Sequence, residues 1–175
     1  MTRAVLSLGS NLGDRIGHLR RAVAHLRPVI LAVSGVYESP PWPPGEAGPP
    51  YLNAVVLVGD PDVDARGWLA RARALERAAG RVRDPANRNA PRTLDVDVVA
   101  VVTDDGRPVV SRDPELTLPH PRAHLRAFVL RPWCDVEPYA VLPGHGPVEE
   151  LLRTAPVADD LGELRARPDL SLEDG

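Results

Sequence analysis

The chain has 175 residues, 43% of them hydrophobic, which is enough for one globular domain with its own core. Its formal net charge of −3 argues against a general nucleic-acid-binding protein, because such domains are usually basic. A single cysteine, Cys134, excludes an internal disulfide and is compatible with a reducing compartment. The sequence shows no signal-like N-terminal segment and no apolar run that could span a bilayer, so we expect a cytoplasmic location.

The first third of the chain predicts a strand, a helix and two further strands. Residues 4–8 form the opening strand, and Gly9–Gly13 is a turn that either only links strand to helix or also binds a ligand. Asp14 is a candidate N-cap for the helix, which Pro28 ends. The next two strands are predicted over residues 29–37 and 51–58.

A proline-rich stretch, Ser39–Pro50, separates these two strands. Six prolines and two glycines exclude regular structure there, and long loops inside a domain are often lids or binding loops. Trp42 is either an exposed tip residue or a stacking surface for a ligand.

The central part of the chain is rich in arginine. A helix is predicted over Asp62–Ala79, with Gly80 ending it, and a polar loop over Arg81–Pro91. Between Arg66 and Arg92 there are eight arginines and two acids. Because a guanidinium is a planar fork suited to phosphate, this local positive charge indicates a polyphosphate ligand.

The stretch Pro91–Val102 predicts a buried strand that begins with two acids. Asp95 and Asp97 leave the same face, about 6.5 Å apart, which is close enough to share a pair of divalent cations. Adjacent acids at an apolar strand lose hydration and repel, unless cations or arginines compensate. The alternative is that both acids simply lie at a wet strand end.

The C-terminal part predicts smaller elements. We expect a helix that begins at Pro121 and ends at Pro132, and a short helix over residues 148–152. One domain should cover residues 1–158, and residues 159–175 read as a polar, loosely held tail. The element order β-α-β-β-α-β predicts a ferredoxin-like α/β (α+β) domain, an antiparallel sheet with helices on one face, plus C-terminal additions.

Four motifs of the chain form a specific combination. The most specific joins Arg81-Val82-Arg83 with Pro91-Arg92-Thr93-Leu94-Asp95-Val96-Asp97. The others are Gly9-Ser10-Asn11-Leu12-Gly13, Tyr51-Leu52-Asn53-Ala54, and Leu118-Pro119-His120 followed by Arg126-Ala127-Phe128. Together, and in their order along the chain, they resemble the motifs of the 6-hydroxymethyl-7,8-dihydropterin pyrophosphokinase family of the folate pathway.

The resemblance implies transfer of the β,γ-pyrophosphoryl group of ATP to the pterin hydroxymethyl oxygen, with release of AMP. It implies that Asp95 and Asp97 bind two Mg²⁺ ions, with Arg83 and Arg92 as the catalytic arginines on the phosphates. The ATP-binding residues it implies are Arg73, Glu76, Arg83, Arg88, Arg92, Thr117, His120 and Arg126. The pterin-binding residues it implies are Ser39, Pro40, Trp42, Tyr51, Asn53 and Phe128. The resemblance is also compatible with a function beside dihydropteroate synthase.

Two positions depart from the family pattern. In the family, the loop before Pro91 often carries a tryptophan that covers the pterin, whereas this chain has Arg88-Asn89-Ala90 at the matching place. We hypothesise that Trp42 partly replaces this cover. Glu115 stands where the family has a basic residue, and the sequence assigns it no role. His120 could instead be a structural turn residue, and Phe128 could be plain core.

Two other functions fit parts of the sequence. Another two-metal nucleotidyl transferase on a ferredoxin-like sheet would use the same acids and arginines. An RNA-binding module of this fold would need exposed aromatic residues on the sheet, and only 4% of the residues are aromatic.

Overall fold

The computed structural model of the chain describes residues 2–80, 86 and 93–173. Within these residues the strands are β1 (Thr2–Ser10), β2 (Ile30–Val33), β3 (Tyr37–Ser39), β4 (Tyr51–Asp60), β5 (Asp95–Thr103), β6 (Ser111–Asp113), β7 (Leu116–Leu118), β8 (Val141–Leu142), β9 (Gly146–Pro147) and β10 (Arg165–Ala166). The α-helices are α1 (Arg15–Leu26), α2 (Ala65–Ala78), α3 (Ala127–Val136), α4 (Val148–Leu151) and α5 (Val157–Asp160). Short 3-10 helices cover Arg27–Val29, Ala123–Leu125 and Leu161–Glu163.

The main sheet is antiparallel, with strand order β10-β3-β4-β1-β5, and β2 also pairs with β4. β1 lies in the middle and pairs along its length with β4 on one side and β5 on the other. The pairing of Val5 with Ala100 and of Leu6 with Val98 leaves Val99 as an extra residue in β5. This bulge keeps Val99 on the same side as the apolar residues that pack against α3.

Alternate residues of the strands face two separate hydrophobic cores. Leu6, Val56 and Val98 belong to the core that includes buried residues of α1 and α2. Val5 and Val55 belong to the core formed with α3, α4 and α5. The first two helices therefore share one face and the C-terminal elements cover the other, which confirms the predicted ferredoxin-like class with C-terminal additions.

Aspartates cap the first two helices. The carboxylate of Asp14 accepts the N–H of Gly17 at 3.1 Å, as the sequence predicted for the start of α1. α2 begins later than predicted, because Asp64 provides its cap and accepts the N–H of Gly67 at 2.8 Å. The sequence did not identify Trp68, which is fully buried on the inner side of α2.

The predicted bounds of the third helix are wrong at both ends. The chain after Pro121 forms only a 3-10 turn, and α3 itself begins at Ala127. Pro132 does not end α3 but lies inside it and is buried there together with Leu130 and Trp133. Burial of this apolar face compensates for the lost backbone hydrogen bond, a penalty of about 3 kcal/mol for an internal proline.

Part of the segment predicted as a loosely held tail packs against the domain, among the residues that the structure describes. β10 adds to the edge of the main sheet by pairing with β3, and Arg20 donates a hydrogen bond of 3.0 Å to the carbonyl of Ser171. Leu172 is 3% exposed and belongs to the core under α1 and α2. The segment is mostly polar, and its four leucines, Leu161, Leu164, Leu170 and Leu172, were too few to predict this packing.

None of the described helices is both long and apolar enough to cross a membrane. α2 has 14 residues, whereas a membrane span needs about 20.

If the C-terminal segment is a packed part of the fold, Leu172→Ala should lower the free energy of unfolding by about 2–3 kcal/mol, because it leaves a cavity in the core. Urea unfolding followed by circular dichroism measures this. Leu31→Ala is the matched control, since Leu31 is 58% exposed and should change stability little. Equal stability of wild type and Leu172→Ala would mean that the tail is loosely held after all.

Candidate active site

Three strands place polar residues in one row at the end of the main sheet. Asn53 on β4 pairs with Gly9 on β1, and Gly9 pairs on its other side with Asp95 on β5. Two residues away, Ser7 on β1 pairs with Asp97. Residues paired across antiparallel strands project from the same face, so all of these positions lie on the face covered by α3. Asp95 and Asp97 therefore share a face, as predicted.

β5 lies at the edge of the sheet, and α2 supplies a hydrogen-bond partner near its start. Glu76 is 3% exposed, and its Oε2 accepts the N–H of Val96 at 3.1 Å. Val96 lies between the two aspartates, so this bond fixes the segment that carries both carboxylates. The family resemblance assigned Glu76 to ATP binding, and that role stays a prediction. The contact that the structure shows is the hydrogen bond from the Val96 N–H to the Glu76 carboxylate.

A cleft opens on the α3 face between the polar row, the proline-rich loop and the start of α3. It contains the residues expected to hold metal together with those expected to hold a flat ring. The predicted residues that line it are Ser39, Pro40, Trp42, Tyr51, Asn53, Asp95, Asp97, Arg126 and Phe128. The cleft is also lined by residues that the sequence did not assign to the site, namely Ser7, Gly9, Pro41, Pro43 and Arg122.

The far end of the proline-rich loop is tied to the start of α1. The side-chain amide of Asn11 donates to the carbonyl of Pro49 at 3.3 Å. Arg15 donates to the carbonyl of Pro50 at 3.0 Å and to the Glu38 carboxylate at 2.9 Å. The loop is therefore anchored by hydrogen bonds where it leads into β4, and it forms one wall of the cleft.

Arg126 connects the acidic and aromatic parts of the cleft. Its Nη1 lies 3.4 Å from Oδ2 of Asp97, and its side chain is 16% exposed. Its guanidinium carbon lies 5.1 Å from the ring centroid of Trp42 and 5.6 Å from that of Phe128. These distances are within the range of cation–π attraction. The arginine thus partly neutralises Asp97 while it contacts both aromatic residues.

His120 is held as a neutral donor. Its Nδ1 accepts the backbone N–H of Arg122 at 3.1 Å, so the neutral ring carries its proton on Nε2. Burial, followed by the positive charge of Arg126, lowers the pKa of His120 from 6.5 to about 4, and Asp95 opposes this shift. At neutral pH the imidazole therefore offers one N–H and no charge.

Of the described residues predicted to bind ATP, Arg126 lines this cleft, whereas His120, Glu76, Arg73 and Thr117 lie outside its lining. Nη1 of Arg73 on α2 lies 3.9 Å from Oε2 of Glu115, which gives Glu115 a partner that the sequence could not assign. The hydroxyl of Thr117 donates to the carbonyl of Asp113 at 3.0 Å within the β6–β7 hairpin. Three further predictions fall outside the described residues, namely Arg83, Arg88 and Arg92.

Two of these unassigned cleft residues, Gly9 and Arg122, were missed for different reasons. The sequence predicted a turn from Gly9 onward, but β1 continues through it to Ser10. A Cβ at Gly9 would lie 3.5 Å from Cδ1 of Tyr51 and 3.6 Å from Oδ1 of Asn53, so any side chain would fill the floor of the cleft. Arg122 lies in the segment predicted as the first turn of an α-helix, where the chain forms only a 3-10 turn.

Fold and cleft together define a class of protein. It is a ferredoxin-like domain in which two carboxylates and an arginine lie next to an aromatic slot, an arrangement suited to a polyphosphate held through divalent cations beside a flat ring.

Comparison with known proteins identifies the family. The model of the family 7,8-dihydro-6-hydroxymethylpterin-pyrophosphokinase (HPPK) matches residues 5–138. The 2-amino-4-hydroxy-6-hydroxymethyldihydropteridine pyrophosphokinase of Mycobacterium tuberculosis strain H37Rv is 47% identical over 179 residues, covering 98% of this chain and 94% of the relative. The enzyme of the same name from Methylorubrum extorquens is 38% identical over 161 residues, covering 89% of this chain and 96% of the relative. The chain therefore belongs to the 7,8-dihydro-6-hydroxymethylpterin-pyrophosphokinase family.

Solved structures agree on the fold. Wild-type Plasmodium falciparum HPPK-DHPS with pterin and p-hydroxybenzoate superposes with a TM-score of 0.63 at 14% identity. The match covers 94% of this chain but only 46% of that one, so the chain spans less than half of the HPPK-DHPS protein.

The lowered pKa of His120 makes a prediction about stability. The unfolded chain binds a proton at this histidine as the pH falls below 6.5, whereas the folded chain does so only near pH 4. Stability should therefore be lost as the pH falls through this window, by up to about 3 kcal/mol from this residue. His120→Gln, which cannot titrate, should lose correspondingly less stability between pH 7 and pH 4 in urea unfolding. A parallel decline of wild type and variant would contradict the assignment, and measurements from pH 7 to 8.5 provide the baseline.

Proposed function

We propose that this chain transfers the β,γ-pyrophosphoryl group of ATP to the hydroxymethyl oxygen of 6-hydroxymethyl-7,8-dihydropterin. In this reaction the pterin oxygen forms a bond to the β-phosphorus, the bond from that phosphorus to the AMP oxygen breaks, and the hydroxyl proton is released. The observation that carries the proposal is the single cleft that joins Asp95 and Asp97 to the slot around Asn53 and Phe128.

Asp95 and Asp97 fit a magnesium site. Both are partly exposed carboxylates on one face of β5 and line the open cleft, and Asp97 already lies within 3.4 Å of a cationic nitrogen of Arg126. Mg²⁺ is typically bound by one or two carboxylates, with substrate phosphates and water completing its shell. Two bound ions would neutralise the triphosphate and stabilise charge on the leaving AMP. We propose these two residues as the metal ligands.

We propose two of the described residues as hydrogen-bond donors to the phosphates. Arg126 is the cationic donor and His120 the neutral one. With a cation on Asp97, the Arg126 guanidinium is available to pair with phosphate oxygens as a fork. His120 can donate from Nε2 without adding charge. Both donors are preorganised, by aromatic contacts for Arg126 and by the backbone bond for His120, so little reorganisation is needed during transfer.

The remaining predicted ATP contacts stay proposals based on the family resemblance. These contacts involve Arg83, Arg88 and Arg92. They also involve Arg73 and Glu76 on α2 and Thr117 in the β6–β7 hairpin. The Arg73–Glu115 ion pair is consistent with a nucleotide site at this edge only if Arg73 exchanges Glu115 for phosphate.

The pterin should lie in the slot between aromatic side chains. Tyr51, Phe128 and Trp42 supply its walls, and the Ser39–Pro40 segment supplies its rim. At the floor lie Asn53, which is 2% exposed, and the bare backbone of Gly9. A flat ring fits such a slot, with the amide of Asn53 at its edge.

We also infer a cytoplasmic location and a role beside dihydropteroate synthase in folate synthesis. The single free cysteine, Cys134, supports the first inference. The HPPK-DHPS proteins support the second, because in them the two named units are joined in one chain.

The central activity prediction concerns AMP. Wild type with Mg²⁺ and ATP should release AMP only when 6-hydroxymethyl-7,8-dihydropterin is present. Asp97→Asn should lower the rate at least about a hundredfold, because it removes a metal-binding charge. Asp105→Asn, in the exposed turn after β5, is the matched control and should keep the wild-type rate. AMP formation that does not depend on the pterin, or release of pyrophosphate instead, would contradict the proposed reaction.

Trp42 gives a separate prediction about pterin binding. Trp42→Ala should raise the Kd for the pterin about three- to tenfold, because an aromatic face is lost. Trp42→Phe should restore most of the affinity. Titration of pterin fluorescence with Mg²⁺ and a nonhydrolysable ATP analogue measures both. An unchanged Kd in Trp42→Ala would show that Trp42 does not replace the missing tryptophan of the family.

A further inference from the structure

One arginine joins the two ends of the proline-rich loop. Nη1 of Arg15 donates to Oε2 of Glu38 at 2.9 Å and to the backbone carbonyl of Pro50 at 3.0 Å. Glu38 directly precedes Ser39, where the loop begins, and Pro50 is the last residue before β4. Ser39 pairs with Tyr51 in the sheet, so the base of the loop lies at this pair. A single nitrogen of Arg15 thus bridges the entry and the exit of the loop.

Arg15 itself belongs to a firmly packed element. It is the first residue of α1, whose Leu19 and Val23 are fully buried in the core under the main sheet. The side chain of Arg15 is 27% exposed and that of Glu38 is 19% exposed. A charge-assisted hydrogen bond that is largely shielded from water is stronger than an ion pair in open solvent. The position of the loop base is therefore set by α1.

A second arginine supports the entry side alone. Nη1 of Arg167 lies 3.3 Å from the same Oε2 of Glu38, and the backbone N–H of Arg167 donates to the carbonyl of Val36 at 2.8 Å. Among the contacts of the described residues, Arg167 reaches the entry of the loop and not its exit. Arg15 bonds both, so its removal should release the loop base even when Arg167 keeps Glu38.

The loop forms a wall of the cleft. Residues 39–43 line the cleft, as does Tyr51, which directly follows the loop. Residues 40–50 form no helix or strand, so the position of this wall depends on contacts at its ends and on the contact of Trp42 with Arg126, at 5.1 Å from ring centroid to guanidinium carbon. Arg15 does not line the cleft. It can therefore affect a ligand there only through the loop.

We propose that Arg15 is a positioning residue of this site. By bonding both ends of the loop to α1, it holds Trp42 and the loop wall in place beside the slot before the ligand binds. A wall that is already ordered loses less conformational entropy on binding, which raises affinity. This deepens the proposed function and rests on it, since it assumes that a pterin lies against the loop wall. The carboxylates on β5 do not depend on the loop, so phosphate and metal binding should not need Arg15.

The first test compares the affinities of two ligands. Arg15→Ala should raise the Kd of 6-hydroxymethylpterin about fivefold or more, titrated by fluorescence with Mg²⁺ and a nonhydrolysable ATP analogue. The Kd of the analogue with Mg²⁺ alone should change less than about twofold. Arg15→Lys should retain most of the pterin affinity, because one nitrogen makes both bonds and an ammonium group offers three donors.

The second measurement needs no pterin. In the ligand-free protein, Arg15→Ala should increase quenching by acrylamide of the fluorescence that Trp42 contributes, because the loop wall is less firmly held. Trp42→Phe, alone and combined with Arg15→Ala, identifies that contribution against the buried Trp68 and Trp133. A loss of general stability alone would not change the exposure of Trp42 in the folded protein.

Arg20→Ala is the matched control. Arg20 is also on α1 and also donates to a distant backbone carbonyl, that of Ser171 at 3.0 Å, but it contacts no part of the loop among the described residues. This variant should keep the pterin Kd and the quenching of wild type. Glu38→Gln provides a second route if Arg15→Ala does not fold, because it removes the charge at the loop entry and should raise the pterin Kd in the same direction.

An unchanged pterin Kd in a folded Arg15→Ala would overturn the positioning role, as would equal weakening of the pterin and the ATP analogue or equal weakening in Arg20→Ala. These results leave pterin-dependent AMP release by wild type intact. If wild type released no AMP with 6-hydroxymethyl-7,8-dihydropterin, the proposed function would fail, whereas the quenching of Trp42 would still report whether Arg15 holds the loop. The two failures are therefore distinguishable.

Discussion

The register of β1 between β4 and β5 is the constraint on which the site depends. It aligns Asn53, Gly9 and Asp95 in a single row and places Asp97 beside Ser7. A slip of one residue in either pairing would turn the partner strand's side chains to the opposite face. The apolar residues of the two cores prevent this, because each face of the sheet is buried over most of its length. Core packing thus fixes the positions of the polar row.

The second half of the cleft comes from packing on the α3 face. Val5 and Val55 lie in the core with Leu130 and Trp133, which seats α3 on the sheet. The start of α3 then reaches the end of the polar row, and Arg126 meets Asp97 there. The site is therefore assembled by the C-terminal addition together with the ferredoxin-like strands. This explains why α3 continues through a proline, since ending at Pro132 would expose part of the core.

Much of the fold and of the candidate site could be predicted from local sequence patterns. Alternation along a strand was sufficient to place Asp95 and Asp97 on one face, apolar spacing located the first two helices, and the cap of the first was predicted at Asp14. Family motifs brought Asn53 and Phe128 into the same site, and the structure places them in one cleft with the acids.

The features that sequence reasoning missed depend on contacts between distant segments. Gly9 belongs to the cleft only because β4 and β5 flank it, and Arg122 only because the chain after Pro121 forms a 3-10 turn instead of an α-helix. The C-terminal segment packs through the pairing of β10 with β3 and through burial of Leu172 in the core under α1 and α2, and these partners lie far away in sequence. No local composition signal distinguishes such a segment from a loose tail.

The most direct test is a crystal structure with Mg²⁺, a nonhydrolysable ATP analogue and 6-hydroxymethylpterin. The account predicts carboxylate oxygens of Asp95 and Asp97 at about 2.1 Å from the cations, which also bind the phosphates, with the pterin ring between the aromatic walls. Carboxylates turned away from both cations and nucleotide, with the phosphates bound elsewhere, would contradict it.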